Sequence, residues 1–496
     1  MNELTLDPES WQDLRSLGHR MIDDMVDYLA SVRERPVWQP FPEAVRARLA
    51  EPLPRVGRPA EAVYEQFLRD VLPYPPGNIH PRFWGWVIGT GTPLAMLADM
   101  LASGMNPQAA GVQEGARHVE ERVIAWLAEV MGFPDGSSGL LVSGGSMANL
   151  VALAVARQAK AGFDVREEGV GNGSPPLVVY ASTEVHSSVK KAVELMGLGH
   201  RNLHTIPVDA GYRIDVAALK AAIAADRAQG RRPICVVGNA GTVNTGATDA
   251  LTALGALCRA ENLWFHVDGA FGALVRLAPE LAGVVRGLET ADSVAFDLHK
   301  WGYLPFEVGC TLVRHPAVHR DTFAEAPSYL GATARGLAAG GVLFADLGIQ
   351  LSRGFRALKV WMAFKTHGAD LIGKMIAQNV SQIRYLVSLV EAHPKLELLA
   401  PAPLNICCFR YTAPGLDATA LNALNQEILW RLQESGVALP SHTVLDGRFA
   451  IRVANTNQRS RREDFDTLVR AVTELGDAVI REKLVEVGGG SSGGAP

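Results

Sequence analysis

The sequence predicts an α/β protein built on a central, mostly parallel sheet, preceded by an N-terminal helical segment and followed by a small α+β domain. Three observations carry that prediction. Short apolar, β-branched runs alternate with helix-compatible stretches through the middle of the chain, the order that βαβ units produce. Polar and glycine-containing segments close those runs, so the chemistry-bearing residues fall at strand ends, where open α/β sheets bind ligands. At 496 residues the chain exceeds one ordinary core, and two or three domains are expected.

The elements follow in order. Trp11, Leu14, Leu17, Met21, Met25, Leu29 and Val32 form an apolar stripe at near-helical spacing, with Asp7 to Ser10 offering cap residues before it. A Pro-rich passage from Pro36 to Pro76 leads into the large domain. There the strand candidates are the runs ending at Val142, near Tyr180, at Ala240, at Asp268 and at Asp297. After Lys359 the chain reads as helical through about Val390, and strands near Leu404 to Tyr411 and Phe449 to Ala454 mark a smaller module. Arg459, Arg461 and Arg462 with Glu463 and Asp464 read as a solvated helix start. The divisions expected are 1–88 for an N-terminal helical segment, 89–366 for the large domain and 367–486 for the small one. Residues 487–496, mostly Gly, Ser and Ala, read as a disordered tail.

The most informative stretch is Ser293-Val294-Ala295-Phe296-Asp297-Leu298-His299-Lys300, which places a lysine directly after a histidine at the end of an apolar run. A lysine is ordinarily a solvated charge; held in a partly desolvated pocket it loses proton affinity and becomes a usable amine nucleophile. Upstream, Trp264-Phe265-His266-Val267-Asp268 reads as a buried strand delivering a carboxylate at its end. A Schiff-base lysine with an acidic partner for a pyridinium nitrogen is the recurrent protein contribution to pyridoxal phosphate (PLP) chemistry.

A phosphate needs its own cradle. Leu140-Leu141-Val142-Ser143-Gly144-Gly145-Ser146-Met147-Ala148-Asn149 supplies a strand, a glycine turn and a helix start, where backbone amides and the helix dipole face an anion. Neither GxGxxG nor GxxxxGK[ST] is present there, which counts against a dinucleotide or a nucleoside triphosphate. His186, just after a strand, is placed either to stack on the cofactor ring or to serve as a hydrogen-bonded structural histidine. Gly241-Thr242-Val243-Asn244-Thr245-Gly246 reads equally as a ligand loop or an ordinary turn. A zinc site from His186, His266 and His299 lacks any compact ligand pair such as H-E-x-x-H.

Composition bounds the partners. A net charge of -5 gives no reason to expect nucleic acid or anionic membranes. Five cysteines without C-x-x-C spacing read as reduced thiols of a cytoplasmic protein. The start has neither a basic n-region nor an apolar core, and no run approaches about 18 apolar residues, so neither secretion nor a spanning helix is expected.

Taken in order, these segments resemble the PLP-dependent group II amino-acid decarboxylases, the family of the aromatic-L-amino-acid, tyrosine, histidine and glutamate decarboxylases. The likeness begins near Gly18-His19-Arg20-Met21 and passes through His80-Pro81-Arg82-Phe83-Trp84 and Met96 to Leu101. It continues into Pro327-Ser328-Tyr329-Leu330 and Arg353-Gly354-Phe355-Arg356. The resemblance implies the aspartate-aminotransferase-like fold (fold type I), a homodimer with shared active sites, and decarboxylation of an L-amino acid, an aromatic one, to its amine. By it, Lys300 would carry PLP as a Schiff base, Asp268 would pair with the ring nitrogen and His186 would stack on the ring and, with Tyr329, supply the proton. Ser146, Ala148 and Thr242 match cofactor-facing positions, and His299 a position close to the phosphate. Tyr329 matches a tyrosine on a loop that reaches the neighbouring active site, and Gly354 a residue completing the phosphate site across the interface.

The substrate pocket departs from the aromatic decarboxylases. Gly89 stands where they have a threonine near the substrate carboxylate, with Thr90 beside it as the candidate substitute. Trp86 keeps an aromatic position, whereas Gln108 and Ala110 replace apolar side chains expected from the second subunit. Asp297 stands where animal members carry asparagine. Two rivals share the fold. An aldehyde synthase, which couples decarboxylation to oxidative deamination, typically exchanges the loop tyrosine or the stacking histidine, whereas this chain has both Tyr329 and His186. A non-catalytic binding protein would have no reason to keep both Lys300 and Asp268.

Overall fold

A computed structural model describes residues 3–489 apart from 172, 326–334, 338 and 340–342. Its strands in chain order are β1 (Phe83–Trp84), β2 (Ser138–Val142), β3 (Leu177–Ser182), β4 (Leu203–Ile206), β5 (Arg232–Asn239) and β6 (Trp264–Asp268). They continue as β7 (Ser293–Asp297), β8 (Gly309–Val313), β9 (Leu396–Leu398), β10 (Ile406–Tyr411), β11 (Leu439–Leu445) and β12 (Arg448–Ala454). A seven-stranded sheet runs β2-β8-β7-β6-β5-β3-β4, and a five-stranded one runs β1-β11-β12-β10-β9.

In the larger sheet β8 runs antiparallel to both its neighbours, and β3 to β7 pair in parallel. Parallel strands need crossover connections, which put helices on both faces, so their side chains are buried whichever way they point. Alternate residues accordingly enter different cores: Val178, Tyr180, Val236, Phe265 and Val267 on one face, Leu177, Val179, Ala181, Cys235, Val237 and Trp264 on the other. This is why these strands read as continuous apolar runs rather than alternating ones.

The opening helix, Trp11–Ala30, is capped by Ser10, whose hydroxyl accepts the Asp13 amide. None of its residues is buried, and Trp11 is 63% exposed. Val32, counted at the end of its stripe, lies beyond the helix in a 3-10 turn and is buried. β1 falls inside the stretch assigned to the N-terminal segment, yet it pairs in parallel with β11 of the smaller sheet. Trp84 is fully buried there, stacked 4.7 Å from Phe465. The helices Ala357–His367 and Ala369–Ala392 separate the larger sheet from β9 to β12 in sequence.

The charged run at 459–464 is a solvated helix start only in part: the helix begins at Arg462 and Arg461, Arg462 and Glu463 are exposed, but Arg459 and Asp464 are covered. Asp464 is buried and ion-paired at 2.8 Å with Arg33, and it accepts the Arg461 amide. Burial lowers the affinity of Arg459 for its proton, and its guanidinium donates to Gly91 O. A charge run records composition, not which members a neighbouring segment will cover.

Candidate active site

The carboxyl ends of β2, β3, β5, β6 and β7 open on one side of the sheet, and each delivers a different chemistry. β6 ends in Asp268 and β7 in Asp297, followed at once by His299 and Lys300. β3 leads to His186, the N-cap of helix Ser187–Leu195, and β5 leads into the loop at 241–246. β2 runs through Gly144 into helix Gly145–Lys160, whose first turn has no side-chain cap. Two cavities, about 420 and about 330 Å³, meet at this edge. His186, Asp268, Ala270 and Lys300 line both of them. Trp86, Val243, Asn244, Phe271 and His442 extend the larger one, and Gly144, Ser146, Asp297 and His299 the smaller.

Lys300 is 21% exposed through its side chain, and its Nζ lies 2.9 Å from Asp297 Oδ2. The other oxygen of Asp297 is buried without a hydrogen-bond partner. His299 Nε2 is 3.8 Å from that oxygen, its Nδ1 accepts the Val308 amide, and its ring lies against Phe306. Burial pulls the His299 imidazole below its ordinary value, against the opposing pull of Asp297.

Asp268 is buried and held from both sides: Oδ2 accepts the Asn149 side-chain amide at 2.9 Å and Oδ1 accepts the Ala270 amide at 3.1 Å. His186 Nδ1 accepts the Ser188 backbone amide and lies 2.8 Å from the Ser188 hydroxyl. Burial lowers the His186 pKa, partly offset by Asp268. Arg452, nearly buried at the far wall, donates to Trp86 O, Val243 O, Asn244 O and Ser441 Oγ, tying the pocket mouth to the smaller sheet. Burial pushes the Arg452 pKa down to about 10.

Several expected site residues stand elsewhere. Ala148 is turned into an apolar cluster with Leu140, Val142, Ala295, Phe344 and Leu347, because two steps along the helix from Ser146 rotate a side chain away from the cavity. The Thr242 hydroxyl accepts the Ala247 amide and meets Thr245 Oγ1 at 3.1 Å, so it closes its own loop. Thr90 is buried with an unpartnered hydroxyl and is not among the residues lining either cavity. Gln108 and Ala110 lie on the segment before helix Gly115–Met131, beside Arg353, which donates its backbone amide to Gln108 O. Gly354 faces open space. Tyr329 lies outside the described residues.

Gly89 explains itself. A Cβ there would stand 2.1 Å from His299 O and 2.4 Å from Lys300 O, so this backbone packs directly on the lysine turn. The residue expected to be a missing substrate contact is a support for Lys300. Ser188 and Arg452 carry no sequence signal beyond being polar, and Asn149 and Asn244 fall inside the cradle and loop stretches singled out above without a role of their own being expected.

These groups fit PLP. An amine, a fixed carboxylate and an imidazole converge on one space, and a phosphate cradle adjoins it. At that cradle a Cβ on Gly144 would come 3.2 Å from His299 Cε1 and one on Gly145 2.9 Å from Asp297 Oδ2, so a side chain at either position would press on those two residues. Lys300, Asp268 and His186 are placed to hold the ring, and the Gly144 to Ser146 turn with His299 to hold the phosphate.

Comparison with known proteins agrees. Residues 42–412 match the model described as the pyridoxal-dependent decarboxylase conserved domain. The aromatic-L-amino-acid decarboxylase of Bacillus atrophaeus is 35% identical over 474 residues, 95% of this chain and 97% of that one. Phenylacetaldehyde synthase of Arabidopsis thaliana is 28% identical over 466 residues, 90% of this chain and 93% of that one. Among solved structures, Oryza sativa TDC with PLP and tryptamine aligns with a TM-score of 0.88 at 26% identity, covering 96% of this chain and 100% of that one.

Proposed function

The chain belongs to the pyridoxal-dependent decarboxylase family, and from that premise we propose that it removes CO2 from an aromatic L-amino acid and releases the corresponding amine. It is a PLP-dependent amino-acid carboxy-lyase. When bound, PLP supplies the electron sink for the bonding pair left on the substrate carbon as CO2 departs.

This chain's residues do the rest. Lys300 Nζ is the amine that anchors the cofactor, and Asp297, 2.9 Å away, holds that amine in place when it is charged. The Asp268 carboxylate accepts the ring N–H and keeps the nitrogen positive, since a nearby anion favours the charged form. His186, at the head of its helix, covers the ring and excludes water from one face. The uncapped amides at Gly145 and Ser146, with His299, receive the phosphate. Trp86, Val87, Val243 and Phe271 give the larger cavity apolar walls suited to an aromatic side chain. Tyr329 delivers the proton to the substrate carbon, with His186 as the alternative donor.

The observation that carries this reading is the convergence of Lys300, Asp268 and His186 on one pair of joined cavities. Measuring CO2 release over a panel of L-amino acids, with product identification and an oxygen electrode, tests it. An aromatic amino acid should give CO2 and amine in equal amounts without oxygen uptake. The kinship with phenylacetaldehyde synthase favours a second reading, an aldehyde synthase; stoichiometric oxygen consumption with aldehyde product would establish it.

The working form is a cytoplasmic homodimer with shared sites. An opening helix without buried residues, Gly354 in open space, and an exposed Gln108 outside its own chain's cavity support the dimer. Five free, buried cysteines support a reducing compartment. Among the described residues no helix is long and apolar enough to cross a membrane.

A further inference from the structure

Behind Asp268 lies a chain of buried polar side chains that the reaction as derived does not use. Trp264 Nε1–H donates to Ser293 Oγ at 2.8 Å, and Ser293 Oγ lies 2.9 Å from His266 Nδ1. His266 Nε2 lies 2.9 Å from Asn149 Oδ1. Asn149 Nδ2 donates to Asp268 Oδ2 at 2.9 Å and to Ser188 Oγ at 3.0 Å. Each of these residues is less than 5% exposed, so the bonds are shielded from water.

The chemistry of the groups fixes every proton. Asp268 accepts, so the Asn149 NH2 must face it and Oδ1 must face His266; the opposite amide orientation would set oxygen against carboxylate. An oxygen that only accepts then requires a hydrogen on His266 Nε2, and the neutral ring takes the Ser293 hydroxyl hydrogen at Nδ1. Ser293 Oγ in turn accepts from Trp264. Burial holds the pKa of this ring at about 4, so it carries a single hydrogen. The other amide hydrogen of Asn149 occupies Ser188 Oγ, whose own hydrogen goes to His186 Nδ1, 2.8 Å away and already accepting the Ser188 backbone amide. The single hydrogen of neutral His186 therefore sits on Nε2.

We propose that Asn149, locked by His266, is the positioning residue for the cofactor ring, holding Asp268 as an aimed acceptor for the ring nitrogen and anchoring the Ser188 hydroxyl beside His186. The inference rests on the PLP reading, because Asp268 and His186 have this meaning only with a pyridine ring between them. One side chain thereby fixes the acceptor for the ring nitrogen and reaches the residue that braces His186. Asn149 touches no reacting atom, so its effect is on how well the ring nitrogen is recognised.

The test compares affinities of the full-length protein, freed of cofactor, for PLP and for 1-deaza-PLP, in which a C–H replaces the ring nitrogen. Wild type should prefer PLP. Asn149→Leu, similar in size but without donors, should lose PLP affinity by ~10-fold or more while keeping its affinity for the deaza compound. Asn149→Thr, which keeps one donor, should fall between the two and serves if the leucine variant does not fold. An undiminished preference for PLP in both variants would overturn the role of Asn149 alone. An equal loss for both compounds would reduce it to a structural residue. A wild type that fails to distinguish the compounds would overturn the Asp268 reading itself and the inference with it.

Discussion

Replacing Gly89 with alanine adds one methyl group and removes no polar contact, yet it should impair the enzyme. The new Cβ would lie 2.1 Å from His299 O, 2.4 Å from Lys300 O and 2.9 Å from His299 C. Real Cβ contacts essentially never fall below 3.0 Å, so the two backbones must part by roughly 1 Å. Neither side is a flexible side-chain end. The lysine turn is tied by Lys300 N–H to Asp297 O and Tyr303 N–H to Lys300 O, and the Gly89 carbonyl accepts the Asn78 amide at 3.1 Å. Overpacking of this kind costs about 1–3 kcal/mol. A catalytic lysine displaced by that distance loses on the order of 100-fold in turnover. Denaturant unfolding with PLP titration and kcat measurement reads both quantities. A Gly89→Ala protein with wild-type stability and kcat would refute the packing of this segment on Lys300.

Other expectations are as direct. Asp268→Asn should bind PLP at least ~10-fold more weakly in equilibrium dialysis and lose turnover by orders of magnitude; near-normal turnover would remove Asp268 from the mechanism. His266 and His319 are both fully buried, and burial pushes each imidazole down to about 4 from 6.5. As pH falls the unfolded chain takes up these protons first, so stability is fully present above about pH 6.5 and is lost toward pH 4. Each histidine contributes about 3 kcal/mol to that loss, and a denaturation midpoint constant from pH 7 to 4.5 would contradict it. Tyr329→Phe should divert product from amine to aldehyde, ammonia and hydrogen peroxide; an unchanged amine yield would move the proton donor to His186.

The parts of the fold set by local period were legible in the sequence. Buried strands ending at Asp268 and Asp297 announce themselves as apolar runs, and a parallel sheet then brings their ends together without further information. What depended on which way a side chain turns was not. Ser146 and Ala148 lie in one short helix start, and only the packing against β2 decides that the first lines the cavity and the second joins the core. The alternation of β6 places His266 and Asp268 on one face, but their shared partner, Asn149, comes from a helix more than a hundred residues earlier. Gly89 shows the same limit from the other side, since its meaning lies in the backbone it touches rather than in the side chain it lacks.

The central claim, that this chain works through PLP held on Lys300, is tested most directly by reducing the purified protein with borohydride and mapping the modified peptide. One pyridoxyl group per chain should be found on Lys300, and Lys300→Ala should carry none. A pyridoxyl group on another lysine, or none on wild type with PLP supplied, would contradict the account.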